Sequence, residues 1–469
     1  MRTRILLVLI AVLSAGCVVG PNYQRPSMPV PPTFRAPEPL RPDEAQSIAD
    51  LKWFEVFKDE RLQELICKAL ESNYDLRIAA ARVEQAGARL GVTRSNQYPN
   101  FGAVGAVEFN RLSRDGATPL PEQVIPSQNR NFGTAGLQLL SFEVDIWGRL
   151  RRATESSRAN LLSAEETRKA VVTTLVSDVA TAYLAMRERD YVLEIARRTL
   201  KTREASLALI QARRTGGVST LLDLRQAEQL VYSAAQSIPE IQQEIEQREN
   251  QISLLLGEDP GEIPRGRSLT DQNFAPEVPP GLPSALLQRR PDIHAAEQDL
   301  ISANALIGVA RAAYFPQLSL SGVLGGASTQ LTSLFSASSS SWNLTPQISQ
   351  PLFTAGAITS KVRFTEAQRH EAVVRYEKTI QTAFREVSDA LIAHQRIRES
   401  RGQQELLVKS LEDRLRLAYL RYRGGVDTLL NALDADRDLF QAEQELAQLR
   451  LQEMLAVVQL YRALGGGWQ

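Results

Sequence analysis

The stretch Arg421–Asp436, RYRGGVDTLLNALDAD, sets two glycines, Gly424 and Gly425, between segments that otherwise read as helix. A glycine in a helix interior costs about 1 kcal/mol relative to alanine. The pair is therefore a defect in one helix or the turn between two. A second copy of the pattern decides. RTGGVSTLLDL, with Gly216 and Gly217, matches RYRGGVDTLLNAL, and SFEVDIWGRL matches SQPLFTAGAI, pairing Gly148 with Gly356. Gly148 to Gly216 and Gly356 to Gly424 are each 68 steps. Upstream, NYDLRIAAARVEQAGARLGVTRSNQYP and RPDIHAAEQDLISANALIGVARAAYFP hold Asp75–Pro99 and Asp292–Pro316 at 24 steps each. Between that proline and the first glycine the copies differ, 49 steps against 40.

A packed helix cannot gain a residue without turning its apolar face by about 100°. A loop between strands can. The constant 68-step segment therefore reads as helix and the variable one as strands with an exposed loop. Residues 149–238 contain no proline, and Leu352 to Gln469 contain none either. Val172, Val179, Met186, Leu193, Leu200 and Leu207 recur every seventh residue, and Val408, Leu411, Leu415, Ala418 and Tyr422 alternate steps of three and four. These are coiled-coil-like stripes. A helix this long spans roughly 100 Å, and Arg187, Glu188, Arg189 and Asp190 along it place it in water. Each glycine pair then ends a long helix, where glycine adopts a left-handed conformation cheaply. A return helix starts near Ser219 and near Asp427, both expected N-caps. Pro239 is expected to kink the first return helix.

The variable segments alternate apolar and polar residues. QLSLSGVLGG (Gln317–Gly326), SWNLTPQISQPLF (from Ser341) and LLSFEVDIW (from Leu139) show it clearly, and FGAVGAVEF (Phe101–Phe109) more weakly. Period two is the strand signature. Each copy offers one β-hairpin, four strands in all. Lipid leaves no open sheet edge satisfied, and single-chain barrels start at about 8 strands. If these strands enter a membrane, the chain must assemble with copies of itself.

The first residues are Arg2 and Arg4, the apolar run Ile5–Leu13, then Ser14, Ala15, Gly16 and Cys17. This is a secretory signal, too short to span a bilayer. The small residues before Cys17 resemble a bacterial lipoprotein cleavage site, with Ser14 where a large aliphatic usually stands. Val18 follows, which points to the outer membrane. Charge balances, 54 basic against 54 acidic residues, which removes the electrostatic argument for nucleic acid. Cys67 in RLQELICKAL reads as a buried small hydrophobe. No disulfide framework, metal spacing or catalytic constellation is visible. His294, His370 and His394 read as helix-surface residues, and no enzyme is expected.

Together these segments resemble the TolC-like outer-membrane factors, in the lipoprotein branch that serves tripartite, RND-type efflux systems. The stretches that carry the resemblance are CVVGPNYQRP, WFEVFKDERLQELICKAL, FEVDIWGR, RTGGVSTLLDL, LLGEDPG, GLPSALLQRRPDIHAAEQDL and LYRALGGGW. The fold expected is mainly α with a small β part. Long antiparallel helical hairpins would form a periplasmic α-barrel, and four strands per chain would form a 12-stranded outer-membrane β-barrel in a homotrimer. The divisions expected are a signal peptide at 1–16, a lipidated strap and first short helix at 17–72, and a first repeat at 73–256. A linker at 257–285 and a second repeat at 286–469 follow.

The function implied is a passive channel of a Gram-negative outer membrane, exporting small molecules. Its partners would be a periplasmic adaptor (membrane fusion protein), an inner-membrane RND-type transporter and outer-membrane lipid. The alternatives are a periplasmic coiled-coil scaffold without a channel, or a channel for type I protein secretion. No cofactor or metal is implied, only a diacylglycerol and an N-acyl chain on Cys17. The resemblance places adaptor docking at Gly216, Gly217, Val218, Gly424, Gly425 and Val426. It places a channel gate at Asp434 and Asp223, each repeated threefold as a ring that attracts cations. Arg213, Arg421 and Arg423 are expected to hold the closed form through acids on neighbouring chains.

Overall fold

The computed structural model describes residues 18–36, 47–111, 129–272 and 283–468. Cys17 and the signal lie outside them, as do 112–128 of the expected strand loop and 273–282 of the linker. Beside a single helical turn at Trp53–Val56, the helices are α1 (Glu60–Ser72), α2 (Tyr74–Ser95), α3 (Arg149–Thr215), α4 (Leu221–Leu256), α5 (Pro283–Arg289), α6 (Pro291–Ala312), α7 (Ala357–Arg423) and α8 (Leu429–Ala463). The strands are β1 (Phe101–Arg111), β2 (Asn129–Val144), β3 (Gln317–Ser328) and β4 (Ser340–Ser349). Helices α3 and α7 have 67 residues each, filling the interval between the glycines that bound them. One stretch of α3 is apolar enough to cross a membrane by composition, but 56% of it is buried within the chain, as in a core helix.

The chain divides into two compact units. The first holds Met1–Pro26, Val83–Ser163 and Ala296–Tyr376. Its sheet is an antiparallel meander in the order β1-β2-β3-β4, so among the described residues β1 and β4 each keep one unpaired edge. In register, Ala103 faces Leu137, Leu137 faces Leu324 and Leu324 faces Trp342. Paired residues share a face, and Leu137, Leu324 and Trp342 are 59%, 61% and 75% exposed. The sheet thus carries an apolar row across three strands on an open face. Strands of this length suit a bilayer core, which takes about 9–11 tilted residues.

Alternation in the sequence continues the strand through Asp145 to Trp147. The strand stops at Val144 because Asp145 turns to cap α3, its carboxylate accepting from the Leu150 and Arg151 amides at 3.1 and 2.9 Å. The loop after β3 holds two short 3-10 turns, Leu331–Ser333 and Ala337–Ser339.

The N-terminal strap docks on this same unit. The Val19 amide donates to Trp147 O at 3.0 Å, Arg152 donates to Asn22 Oδ1 at 2.7 Å, and Asn304 donates to Pro21 O at 2.9 Å. Buried Glu297 accepts from Tyr23 Oη at 2.9 Å and from Arg25 Nε at 2.6 Å. Gly20 crosses Gly308 so closely that a Cβ at Gly20 would lie 2.5 Å from Gly308 Cα. Gly308→Val should therefore evict the strap while leaving α6 helical. Proteolysis after Arg25 is the measurement, and a strap as protected as in the parent would refute it.

The second unit holds Ser27–Arg82, Ala164–Ala295 and Glu377–Gln469. Tyr183, Met186, Val179 and Ile195 of α3 are buried to 2% or less. Asp59 caps α1 through the Arg61 amide and also accepts from Tyr183 Oη at 3.0 Å, the Arg267 amide at 3.0 Å and Gln272 Nε2 at 2.8 Å. Those bonds hold its carboxyl below the usual range, against the opposing effect of burial. They also pin the linker to α1 and α3.

One expectation changes in this unit. Cys67 is exposed on α1, because Leu62, Leu65, Ile66 and Ala69 form the buried stripe and residue 67 lies off it. Helix α4 continues from Leu221 to Leu256 with Pro239 inside it.

Candidate functional site: the two hairpin turns

Both glycine pairs reverse the chain, and they do so identically. In the first, the Gly217 amide donates to Arg214 O at 2.9 Å and the Val218 amide to Arg213 O at 2.9 Å. In the second, the Gly425 amide donates to Tyr422 O and the Val426 amide to Arg421 O, both at 3.1 Å. This is the Schellman closure, with Gly217 at φ +77° and Gly425 at φ +72° supplying the left-handed residue. Gly216 and Gly424 have no positive φ, and a Cβ on either would meet only its own helix's carbonyls at ordinary contact distance, 3.4–3.6 Å. The turn accounts for the second glycine of each pair and not the first. Val218 and Val426 beside them are 68% and 67% exposed.

The return helices start one residue later than expected. The N-caps are Thr220 and Thr428, not Ser219 and Asp427. In the first turn, Thr220 Oγ1 accepts from the Asp223 amide at 3.1 Å while the Asp223 carboxylate accepts from the Thr220 amide at 2.8 Å and Ser219 Oγ at 3.0 Å. This capping box satisfies two orphan donors. The Thr220 amide, first among these bonds, holds the Asp223 carboxyl below its usual range. In the second turn the acid has moved four residues back. Asp427 accepts from the Thr428 amide at 2.8 Å, Asn431 Nδ2 at 2.6 Å and Arg421 Nε at 3.0 Å. The same side-chain link joins residue 219 to 223 and residue 427 to 431, with acid and amide or hydroxyl exchanged.

Asp434 sits further along α8, partly exposed, with Arg437 at 3.2 Å. Arg213 stacks on the Tyr422 ring at 4.8 Å, and Arg421 pairs with Asp427 within the chain. Asp436 has no role marked by the sequence pattern. It is buried, as is its partner Arg203, their side chains 6% and 4% exposed and 2.5 Å apart. Arg203 also donates to Leu230 O at 3.0 Å and lies 5.0 Å from the Phe440 ring. Burial pushes the Asp436 carboxyl up, and Arg203 pulls it back. Below the pair lies an apolar cluster of Ile210, Leu224, Ala227, Tyr422, Leu429 and Leu433, drawn from all four long helices. No local motif could mark Arg203 and Asp436 as partners, since 233 residues separate them.

Two copies of a strand hairpin followed by a very long helical hairpin, with an apolar sheet face open, define an outer-membrane channel protein with a helical periplasmic extension. The chain belongs to the outer membrane efflux protein family, matching it over residues 65–258 and 282–466. It is 37% identical to the cation efflux system protein CusC of Escherichia coli O6:H1 over 462 residues, 98% of each chain. It is 38% identical to the solvent efflux pump outer membrane protein SrpC of Pseudomonas putida over 472 residues, covering 100% of this chain and 99% of that one. A crystal structure of a membrane protein from Pseudomonas aeruginosa superposes with a TM-score of 0.89 at 35% identity, covering 96% of this chain and 98% of that one. The protein is thus the outer-membrane channel component of a tripartite efflux system in a Gram-negative bacterium.

Proposed function

We propose that the chain works as a homotrimer whose twelve strands close one barrel, with six helical hairpins continuing it as a tube. Small molecules pass through it passively, driven by an RND-type transporter in the inner membrane, and a periplasmic adaptor docks on the hairpin turns. The observation that carries the docking reading is the pair Gly216 and Gly424, glycines that their own turns do not require. A missing Cβ lets a partner backbone come close, and Val218 and Val426 add apolar contact. A Gly216→Phe, Gly424→Phe chain is expected to fold and assemble with unchanged helicity, yet to lose cross-linking to the adaptor and all efflux. Efflux at the parent level would refute docking here.

Asp434 is the better gate candidate of the two acids. Its carboxylate is partly exposed, with Arg437 as its ion-pair partner among the described residues, whereas two bonds from the first turn occupy the Asp223 carboxylate. Three copies of Asp434 around an axis would repel one another and hold cations. In planar bilayers Asp434→Ala should raise resting conductance and reduce cation selectivity, and Asp223→Asn should do so less. Equal conductance for the parent and Asp434→Ala would remove the gate assignment.

Cys17 is proposed to carry the diacylglycerol and an N-acyl chain such as palmitate. Supporting this, residue 18 packs against Gly148 at the start of α3, a few residues past the end of β2. Intact mass of the mature protein tests it, and an unmodified Cys17 would refute it.

A further inference from the structure

We infer that a groove between α7 and α8 binds apolar organic cations and lies on the wall of the bore. The placement in the bore rests on the trimeric reading above; the binding does not.

The groove lies within the second unit and has a volume of about 480 Å3. Its apolar lining is Ala390, Ala393 and Ile397 of α7 with Leu455 and Ala456 of α8. The hollow exists because the alanine side chains stop at Cβ. A mostly apolar hollow of a few hundred Å3 with a few polar groups is the form in which proteins hold small organic molecules. Here the charged groups are Glu386, Asp389 and Arg462. Arg290 engages Glu386 at 2.7 Å, and Arg462 lies 4.0 Å from Asp178. Asp389 is exposed and has no ion-pair or hydrogen-bond partner among the described residues. One carboxylate is thus left for a ligand. A cation with an apolar body answers both features, its charge beside Asp389 and its hydrocarbon on the alanines. An uncharged solute gains the apolar lining alone, and an anion meets a like charge.

The groove opens on the side of α8 that the rest of the unit leaves bare. Met454, Val457 and Tyr461 are buried to 9% or less. Met454 and Val457 line a cavity with Leu269 of the linker, while Tyr461 donates to Leu51 O at 2.9 Å and its ring lies 6.1 Å from that of Phe57. Gln452, Leu455 and Gln459 each stand two residues from one of these, about 200° round the helix. Segments that are not part of a tube's wall must lie outside it, since inside they would fill the bore. The side of α8 turned away from the linker and Phe57 is then the inner one, where a passing solute meets it.

The test is equilibrium dialysis of the purified channel in lipid nanodiscs, with empty discs subtracted. The probes are methyltriphenylphosphonium, an apolar cation, and triphenylphosphine oxide, an uncharged compound of similar size. The cation should bind about fivefold more tightly than the oxide, the worth of one exposed ion pair. Asp389→Asn should bring the cation down to the level of the oxide. Ala393→Leu, which narrows the hollow, should weaken both, and Arg462→Gln should tighten the cation alone. Equal binding of the two compounds by the parent, or an Asp389→Asn chain that still prefers the cation, would overturn the inference. So would absence of binding, the result expected if a second copy of the chain closes the groove. In planar bilayers the cation should lower the single-channel conductance of the parent and not that of Ala393→Leu. Charge-selective binding in the discs with no effect on conductance would overturn the placement, and with it the trimeric tube, while leaving the site.

Discussion

Arg203→Ala should be the most damaging single substitution at the helical end. Removing one partner of a buried ion pair strands the other charge, at a cost of about 3–5 kcal/mol. The Asp436 side chain is 6% exposed and has no second cation beside it among the described residues, so water cannot replace the guanidinium. The loss should depend on pH, with a definite sign. Burial already raises the Asp436 carboxyl above its unfolded value, and removing Arg203 takes away the interaction that opposes that rise. An acid with a raised folded pKa binds its proton more readily in the fold. Its ionised form is a liability above the unfolded pKa, and acid relieves it. Arg203→Ala should therefore melt far below the parent at pH 8 and recover part of the gap toward pH 5. The double substitution Arg203→Met, Asp436→Leu removes both charges and should melt near the parent, since apolar replacement of such pairs is often neutral. Thermal melts with proteolysis at the turns measure all three. A pH-independent loss, or a double variant as weak as the single, would show that the pair is not what holds the joint.

The second large effect lies in the sheet. Gly136 and Gly325 face each other across β2 and β3. A Cβ on Gly136 would sit 2.5 Å from Leu324 O and 2.8 Å from Gly325 Cα, and one on Gly325 would strike Ala135 O. These obstacles are backbone, which cannot swing aside as a side chain can. Gly325→Val should part the central strand pair and abolish a heat-modifiable, membrane-inserted oligomer. Gly105→Val on β1, where a Cβ meets nothing within 4 Å, is the control and should insert normally. Normal insertion of Gly325→Val would mean the two strands do not pair in this register in the membrane.

Some elements were legible because they depend on periodicity or on a fixed length. The long helices could be bounded to the residue, since a change of length rotates every later contact. The four strands could be placed from alternation, and the turns from their glycines. Local capping was harder. Ser219 and Thr220, or Asp427 and Thr428, both present a side-chain oxygen, and one step of backbone geometry decides which caps. Asp145 alternated like a strand residue but was taken by the helix that follows. Cys67 shared a helix with a buried stripe and lay just outside it.

Repeat, helix length, turn position and strand number were thus written in the sequence, because each arises from interactions among residues close along the chain or from the identity of two intervals. The tertiary structure alone decided which charges meet: that Arg203 finds Asp436, that Asp223 and Asp427 are spent on their own turns, and that Asp434 is left partly open. Those outcomes depend on which helix faces which across hundreds of residues, and the electrostatic value of a carboxylate is set by the burial and partners it finds there.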